Sequence, residues 1–412
     1  GSVAWRISEE GFMEPVKAVI NNLKLRTSYG FTGNTEIGVY ESLATLESNS
    51  WTIGNQLVSG FYPNRIPNPD LKWEKTGQFD IGFDLGLFNN RLRLTADYYY
   101  KKTTDLLYNV AIPSASGYDS MLKNIGSVQN KGYELSIESD NLSGAFSWTT
   151  AFNISFNRNK VLELGGETYK DVGTYDDHLK TSDIRRLIVG QPIGVFYGYR
   201  FDGIFQNEAE CAQQTSSPSP IGVGLRRYKD LNGDGKIDAT NDREILGDAN
   251  PKFFGGMTNT FAYRGFELNV FLQYSYGNKI FNYNAMELES PTGGQNVYQD
   301  LVNRWTPTNP SNEYQKATTN RNNIVSDRFI EDGSFLKLKT VSLSYSFPKL
   351  NWKHIGGLRL YVTGQNLLTW TKYRGYDPEV SYRGASTLEA GEDFGGYPQA
   401  RTFMFGIKLD IK

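Results

Sequence analysis

Residues 78–101 alternate apolar and polar side chains with a period of two, along two arms joined by Asn89 and Asn90. The two arms place large apolar side chains on one face: Phe79, Ile81, Phe83, Leu85 and Leu87, then Leu92, Leu94, Ala96, Tyr98 and Tyr100. A period of two predicts β-strands, and asparagine tolerates the positive φ of a tight hairpin turn. Each arm is about ten residues long and carries charges on its other face, which is typical of a transmembrane β-barrel hairpin between lipid and water.

The composition agrees with an all-β membrane protein. The 412 residues contain no apolar run of about 18 residues, so we predict no transmembrane helix. Tyrosine (26), phenylalanine (24) and glycine (42) are abundant, and the mean hydropathy of −0.49 fits a barrel with a polar lumen as well as a soluble protein. The net charge of −2 gives no electrostatic reason to expect nucleic acid. Cys211 is the only cysteine, which rules out an internal disulfide.

Similar alternating stretches recur along the chain, and the connections between them alternate in length. Short connections lie at 89–90, 140–144, 264–265 and 348–357, and long ones at 34–70, 106–122, 160–251, 277–329 and 372–397. Outer-membrane barrels have short periplasmic turns and long extracellular loops. The pattern predicts an all-β, transmembrane antiparallel barrel with about 11 strands here, and an even-numbered barrel needs more strands upstream. The alternative fold is a soluble β-sandwich or propeller.

Several stretches, in order along the whole chain, resemble SusC/RagA-like TonB-dependent transporters of Bacteroidota outer membranes. They are WRISEE (5–10), PNPDLKWE (67–74), NIGSVQNKGYEL (124–135), GYRFDGIF (198–205), DGSFLKL (332–338), GQNLLTWTKY (364–373), GYDPE (375–379) and YPQARTF (397–403). The resemblance implies a 22-stranded barrel with an N-terminal plug. Residues 1–412 would then be the C-terminal half of the barrel, with the plug and the first barrel half absent from this chain. Family members usually end on an aromatic residue, whereas this chain ends on Lys412.

By this resemblance we expect TonB-dependent active import of oligosaccharides or peptides across the cell outer membrane, with no enzyme activity. The implied partners are a SusD-like surface lipoprotein, TonB acting through the N-terminal region, outer-membrane lipid and the oligosaccharide or peptide substrate. The sequence does not assign substrate-binding residues. The alternatives are a passive outer-membrane barrel or adhesin without TonB coupling, and a secreted β-rich carbohydrate-binding protein.

One local motif points to a metal ion. Residues 230–242, inside the long extracellular region 160–252, begin like an EF-hand-type Ca²⁺ loop. Such a loop wraps a hard cation with oxygen ligands and a glycine at its sixth position. The expected ligands are Asp230, Asn232, Asp234, the backbone carbonyl of Lys236, Asp238 and Asp242. Asn241 stands where the bidentate acid is expected, so Asp242 would close a slightly expanded loop of structural role. The alternative is a solvated Asn-Gly/Asp-Gly turn.

The remaining candidates are weaker. His178 and His354 are the only histidines and lie far apart in sequence, which supports neither a histidine metal cluster nor a Ser-His-Asp triad. Arg185 and Arg186 are predicted to lie on a solvated loop face rather than in an anion clamp. Four aromatic loop residues are candidates for stacking on sugar rings or for loop packing: Trp51, Tyr62, Tyr298 and Trp305. Four acidic residues are expected to face the lumen: Asp84, Asp97, Glu134 and Glu138.

Overall fold

The computed structural model describes residues 1–34, 40–111, 118, 120–173, 181, 184–290, 296–319, 323–347, 355–380, 382–384 and 386–411. One antiparallel sheet of 11 strands dominates it, and every strand pairs with the next one in sequence. The strands are β1 (Ser2–Arg6), β2 (Ile20–Asn34), β3 (Glu74–Leu87), β4 (Leu92–Thr104), β5 (Ser127–Leu142), β6 (Phe146–Glu163), β7 (Phe253–Tyr263), β8 (Phe266–Tyr276), β9 (Phe335–Ser346), β10 (Ile355–Thr371) and β11 (Thr402–Ile411). The predicted strand number and the all-β barrel class are therefore confirmed.

The register places the apolar residues of neighbouring strands side by side on one face. Phe83 of β3 lies opposite Leu25 of β2 and Ala96 of β4, and Ala96 in turn lies opposite Leu135 of β5. Large side chains on this face remain exposed from β1 to β11, among them Val3, Phe79, Ile81, Tyr133, Phe405 and Ile407. A slip of one residue would move a whole strand's apolar set to the other face. The exposed apolar face is the lipid-facing surface of the barrel.

Aromatic rings lie at both ends of the lipid-facing surface. At the end with long connections, the ring centroids of Tyr98 and Tyr133 are 5.0 Å apart, and those of Phe253 and Tyr276 are also 5.0 Å apart. At the opposite end, Phe266 and Tyr345 lie 4.5 Å apart. These rings form the two aromatic bands expected at the membrane–water interfaces of a barrel.

The other face of the sheet is polar, and its charges are paired across strands. The guanidinium of Arg26 on β2 lies 3.0 Å from Asp84 on β3 and 3.0 Å from Asp97 on β4, the next two strands of the sheet. Arg93 pairs with Glu138 at 3.0 Å. Glu134 lies opposite Asp97 and shares this face. The four acidic residues predicted to face the lumen therefore all lie on the inner face.

The hairpin between β3 and β4 differs in detail from the prediction of a two-residue turn. Leu87 pairs with Leu92, so four residues form the connection. Phe88, Asn89 and Asn90 all have positive φ, between 54° and 59°. The side-chain oxygen of Asn21 accepts hydrogen bonds from the backbone N–H groups of Asn89 and Asn90, which stabilises this turn.

The long connections contain structure of their own, where the sequence indicated mostly loops. Paired strands lie at Thr45–Ile53 with Gln56–Arg65, Leu107–Ala111 with Ser120–Asn124, and Phe201–Ile204 with Arg226–Tyr228. A four-stranded sheet joins Tyr169–Val172, Arg185–Ile188, Val195–Tyr199 and Arg243–Asp248. A three-stranded sheet joins Ile330–Asp332, Lys279–Asn282 and Glu392–Asp393. The helices of the described residues are α1 (Glu208–Cys211), α2 (Tyr283–Leu288) and the 3-10 turns Ile7–Glu9, Gly11–Val16, Gln299–Asn303 and Asp327–Phe329. The helices of the described residues are too short or too polar to cross a membrane.

The lipid-facing surface can be tested with two neighbouring positions on β5. Leu135 faces lipid between Ala96 and Ile154, whereas Ser136 faces the lumen between Thr95 and Asn153. We expect Leu135→Arg in the full-length protein to lower the free energy of unfolding by about 2–4 kcal/mol, and Ser136→Arg by less than about 1 kcal/mol. Denaturant unfolding of protein refolded into vesicles measures both. Equal losses for the two variants would contradict the assignment of the faces.

Candidate functional site in the loop assembly

The long connections all leave the same end of the sheet, because the strands alternate in direction. They run over 35–73, 105–126, 164–252, 277–334 and 372–401. The excursion predicted from residue 160 starts at 164, since β6 continues to Glu163. Short connections at the other end match the predicted alternation. This end with long connections is the extracellular end by the rule for outer-membrane barrels.

The largest buried core of the molecule lies among these connections and not in the sheet. Its members come from 164–252 and 277–334: Ile184, Phe196, Phe281, Tyr283, Ala285, Met286, Val325 and Phe329. Phe394, from 372–401, packs against this cluster. Fully burying one such large side chain stabilises by roughly 1.5–3 kcal/mol. The three connections are therefore packed into one body, which we call the loop assembly.

A buried ion pair joins connection 164–252 to connection 372–401. The Nε atom of Arg185 lies 3.0 Å from Oε1 of Glu392, and the two side chains are 2% and 1% exposed. The same guanidinium donates to the carbonyl of Gly194 at 2.8 Å and to that of Ala390. Burial raises the pKa of Glu392 even though Arg185 opposes the rise. Arg185 is buried, so the prediction that it lies on a solvated loop face is wrong. No local sign of this was visible in the sequence, because its partner Glu392 is 207 positions away.

Arg186 points to the opposite side of the same strand. Its guanidinium carbon lies 4.0 Å from the ring centroid of Tyr169 and 4.0 Å from that of Tyr197. Two hydrogen bonds, of 2.6 and 3.0 Å, join it to Asp171. Arg186 is therefore held by stacking and an ion pair at the rim of the assembly.

A second buried cluster centres on Glu289, whose side chain is 1% exposed. Its carboxylate lies 2.7 Å from Arg328, 3.4 Å from Arg374 and 3.8 Å from Arg226. Arg374 also lies 2.9 Å from Glu331. An isolated buried carboxylate is unfavourable, and these three cations offset the cost of burying Glu289 inside the assembly.

The third cluster joins two of the stretches that carry the resemblance. Lys337, from DGSFLKL, places its ammonium 2.6 Å from Asp377 and 2.5 Å from Glu379, both in GYDPE. Lys339 lies 2.9 Å from Glu379. Burial acts to raise the pKa of Glu379, but the hydrogen bonds from the two lysines outweigh it and lower that pKa. Sequence reasoning missed this contact, because Asp377 and Glu379 lie 40 and 42 positions from Lys337 in the sequence.

The predicted Ca²⁺ loop is a compact, hydrogen-bonded turn. Asp230 accepts the backbone N–H groups of Gly233 at 2.6 Å and Gly235 at 2.7 Å. These bonds, that from Gly235 above all, lower the pKa of Asp230. Asp242 is fully buried and accepts the N–H groups of Leu231 and Asp238, at 2.8 and 2.9 Å, so it ties the two ends of the loop together.

The other predicted ligands lie in the same turn. Asn232 and Asp234 accept the backbone N–H groups of Asp234 and Lys236, at 3.2 and 2.8 Å. Asp238 accepts those of Thr240 and Asn241, both at 2.8 Å. In the described part of the chain, no group of three or more His, Cys, Asp or Glu side chains is arranged to hold a metal ion. The Ca²⁺ site therefore stays a prediction.

The aromatic candidates divide into packed and exposed residues. Tyr298 lies 5.8 Å from the guanidinium of Arg374, and Trp305 donates its indole N–H to Gln206 at 3.1 Å, so both belong to the assembly. Trp51 and Tyr62 are exposed on the hairpin of the 35–73 connection. The histidines at 178 and 354 lie outside the described residues.

Known proteins match this chain over its whole length. A family model described as TonB dependent receptor-like, beta-barrel matches residues 2–367. The chain is 40% identical to TonB-dependent receptor P3 of Formosa agariphila, over 99% of this chain and 41% of that protein. It is 29% identical to TonB-dependent receptor SusC of Bacteroides thetaiotaomicron, over 100% of this chain and 39% of that one. The chain thus spans about two fifths of the length of these relatives.

A solved structure agrees with these matches. The RagAB peptide transporter superposes with a TM-score of 0.81 at 27% identity, over 99% of this chain and 43% of that chain. The superposition covers the sheet and the long connections together. The likeness therefore includes the loop assembly as well as the barrel wall.

The buried pair of the loop assembly makes a quantitative prediction. Arg185→Met removes the closer of the two cations beside the buried Glu392 and leaves only Arg383, at 3.5 Å, and we expect a loss of roughly 3–5 kcal/mol in the free energy of unfolding of the full-length protein. Arg185→Met combined with Glu392→Leu removes both charges, and we expect about half or more of that loss to be recovered. Denaturant unfolding in detergent measures both variants. A double variant as unstable as the single one would contradict this account.

Proposed function

Because the chain belongs to the family of TonB dependent receptor-like β-barrels, we propose that it forms part of the barrel of an importer for oligosaccharides or peptides. The barrel is a multi-pass protein of the outer membrane. The transported substrate would pass along the polar inner face, beneath the loop assembly. Proteins of this family are receptors and transporters, and the proposed mechanism is binding and release, with no bond made or broken.

The observation that carries the proposal is the loop assembly itself. Three connections at the extracellular end are fixed to one another by an apolar core and by the ion pairs of Glu392 and Glu289. The ion pairs of Lys337 on β9 attach connection 372–401 to the barrel wall. A pore that only lets solutes diffuse needs no such body above its mouth. A preorganised body at the mouth supports capture of a ligand before it is moved, since preorganised contacts bind with less loss of entropy.

Two partners follow from the same proposal. A SusD-like surface lipoprotein would cover the loop assembly and hold the substrate against it, and this is supported by the match to SusC and to the RagAB peptide transporter. TonB would act on a part of the protein that lies within the three fifths or so of the relatives' length that this chain does not span. The alternative, a passive barrel or adhesin, needs neither partner.

Co-purification separates these possibilities. The full-length protein is tagged, solubilised from outer membranes in mild detergent and purified. We expect one lipoprotein to co-purify with it in about equimolar amount, and mass spectrometry identifies that lipoprotein. Uptake of a labelled oligosaccharide or peptide should then stop when TonB is deleted. A barrel that purifies alone, or uptake that continues without TonB, would favour the passive barrel or adhesin.

We also infer that the turn 230–242 binds Ca²⁺ and stiffens the loop assembly. Asp230, Asn232 and Asp234 place side-chain oxygens along one tight turn, and Gly233 and Gly235 supply positive φ values of 77° and 78°. Backbone hydrogen bonds, chiefly from Gly235 and Asn241, lower the pKa of Asp230 and the pKa of Asp238 respectively. Both carboxylates are therefore charged at neutral pH. Repulsion between these charges is what a divalent cation would remove.

Calorimetric titration of the full-length protein with Ca²⁺ tests this inference. We expect one site, and at least a tenfold weaker affinity in the double variant Asp230→Asn, Asp234→Asn, because two anionic ligands are lost. Glu313→Gln removes an exposed carboxylate from another loop and should leave the affinity unchanged. Absence of Ca²⁺ binding in the unmodified protein would show that the turn is held by its backbone hydrogen bonds alone.

A further inference from the structure

A group of basic side chains lies on the outer face of the sheet, just beyond the aromatic band at the extracellular end. The group, which we call the basic band, consists of Lys75 on β3, Lys102 on β4, Lys131 on β5, and Arg158 and Lys160 on β6. All five side chains are exposed. None of the proposed steps of transport uses them, because they face away from the lumen.

The strand register fixes which way these side chains point and how far out they lie. Lys131 pairs with Tyr100 on one side and with Arg158 on the other, while Tyr133 pairs with Tyr98 and with Phe156. Residues two apart on a strand share a face, so Lys131 faces the same side as the lipid-facing Tyr133. Two residues correspond to roughly 7 Å along the strand. The basic band therefore lies at the height of lipid headgroups, one step beyond the aromatic rings.

The band holds its charges close together, although Arg158 also donates to the backbone carbonyls of Asn157 at 2.8 Å, Lys252 at 3.0 Å and Pro251 at 3.5 Å. Lys131 stands directly opposite Arg158, and Lys102 and Lys160 stand on the two sides of Gln129. Like charges directly opposite each other on neighbouring strands are destabilising. Among the described residues, none of the five basic side chains forms an ion pair, whereas Arg26 and Arg93 on the inner face do. The outer face thus presents an anion-binding surface.

A groove at one end of the band has the character of a site for an amphiphile. It encloses about 670 Å³ and is lined by Phe31, Trp73 and Lys75, with Lys75 placed 4.3 Å from the ring centroid of Phe31. Two acids, Glu74 and Asp105, also line the groove, and both have other partners. Asp105 pairs with Lys72 at 3.1 Å, and Glu74 accepts the backbone N–H of Leu107 at 3.1 Å. An apolar wall beside a cation that forms no ion pair in the described part of the chain suits an acyl chain next to an anionic headgroup.

We propose that the basic band binds the phosphorylated glucosamine headgroup of lipopolysaccharide in the outer leaflet. The band continues the lipid-facing surface, so its occupant is a lipid. It lies at the extracellular end, where the leaflet is built from this lipid rather than from phospholipid. Phosphate groups match the cluster because each accepts several charge-assisted hydrogen bonds from lysine and arginine. The proposal depends on the orientation of the sheet and is independent of the transported substrate, of TonB and of the lipoprotein partner.

The test compares how strongly the unmodified full-length protein, a test variant and a control variant bind added lipids. Each protein is first delipidated in detergent micelles, and native mass spectrometry then measures the bound lipid. The probes are purified lipid A, enzymatically dephosphorylated lipid A and phosphatidylglycerol. The test variant is Lys131→Gln with Arg158→Gln. The control variant, Lys123→Gln with Lys229→Gln, removes two exposed lysines from the long connections. Heat-modifiable migration on gels confirms that each variant is folded.

We expect lipid A to bind the unmodified protein and the control equally, and the test variant at least tenfold more weakly. Dephosphorylated lipid A should bind all three proteins as weakly as the test variant binds lipid A. Equal binding of lipid A by the test variant and the control would overturn the proposal. So would equal binding of phosphatidylglycerol, because the band would then recognise negative charge without regard to the headgroup.

Discussion

Backbone hydrogen bonding is the constraint on which the rest of the structure depends. In a hydrocarbon environment each unsatisfied N–H or C=O group costs several kcal/mol, so strands that cross a membrane must form a continuous ladder of hydrogen bonds. The sheet meets this requirement, because every strand from β2 to β10 is paired on both sides. The register between neighbouring strands is fixed as well, because the sheet must keep one face apolar across all its strands. Side chains on the inner face are thereby free to carry charge.

The same constraint explains why the largest buried core lies outside the sheet. The outer face is covered by lipid and the inner face by water, so neither supplies the apolar contacts of a soluble core. Those contacts form between connections 164–252, 277–334 and 372–401 instead. Ion pairs such as that of Arg185 and Glu392 are costly to bury, and hydrogen bonds such as that from Arg185 to the carbonyl of Gly194 offset part of this cost. They fix how the connections fit together rather than adding much net stability.

The barrel wall was predictable from sequence because its signal is local. A period of two needs only neighbouring residues, and it correctly located the strands, the lumen-facing Asp84 and Asp97 and the alternation of short and long connections. The hairpin Thr45–Ile53 with Gln56–Arg65 was missed, since a short ribbon inside a polar loop has a weak pattern. Arg185 was misjudged for a different reason. Its partner Glu392 is remote in sequence, and no local pattern encodes a contact across such a distance.

That distance also sets an order of events in folding. Arg185 and Glu392 are separated by 207 positions, and contacts between remote residues form only after the entropy of closing the intervening chain has been overcome. Hairpins of the barrel wall, such as β3 with β4, join residues only a few positions apart at their turns. The loop assembly cannot close until connection 372–401 has been delivered to the cell surface by β10 and β11. It is thus a late-folding unit, completed on a wall whose hairpins pair first.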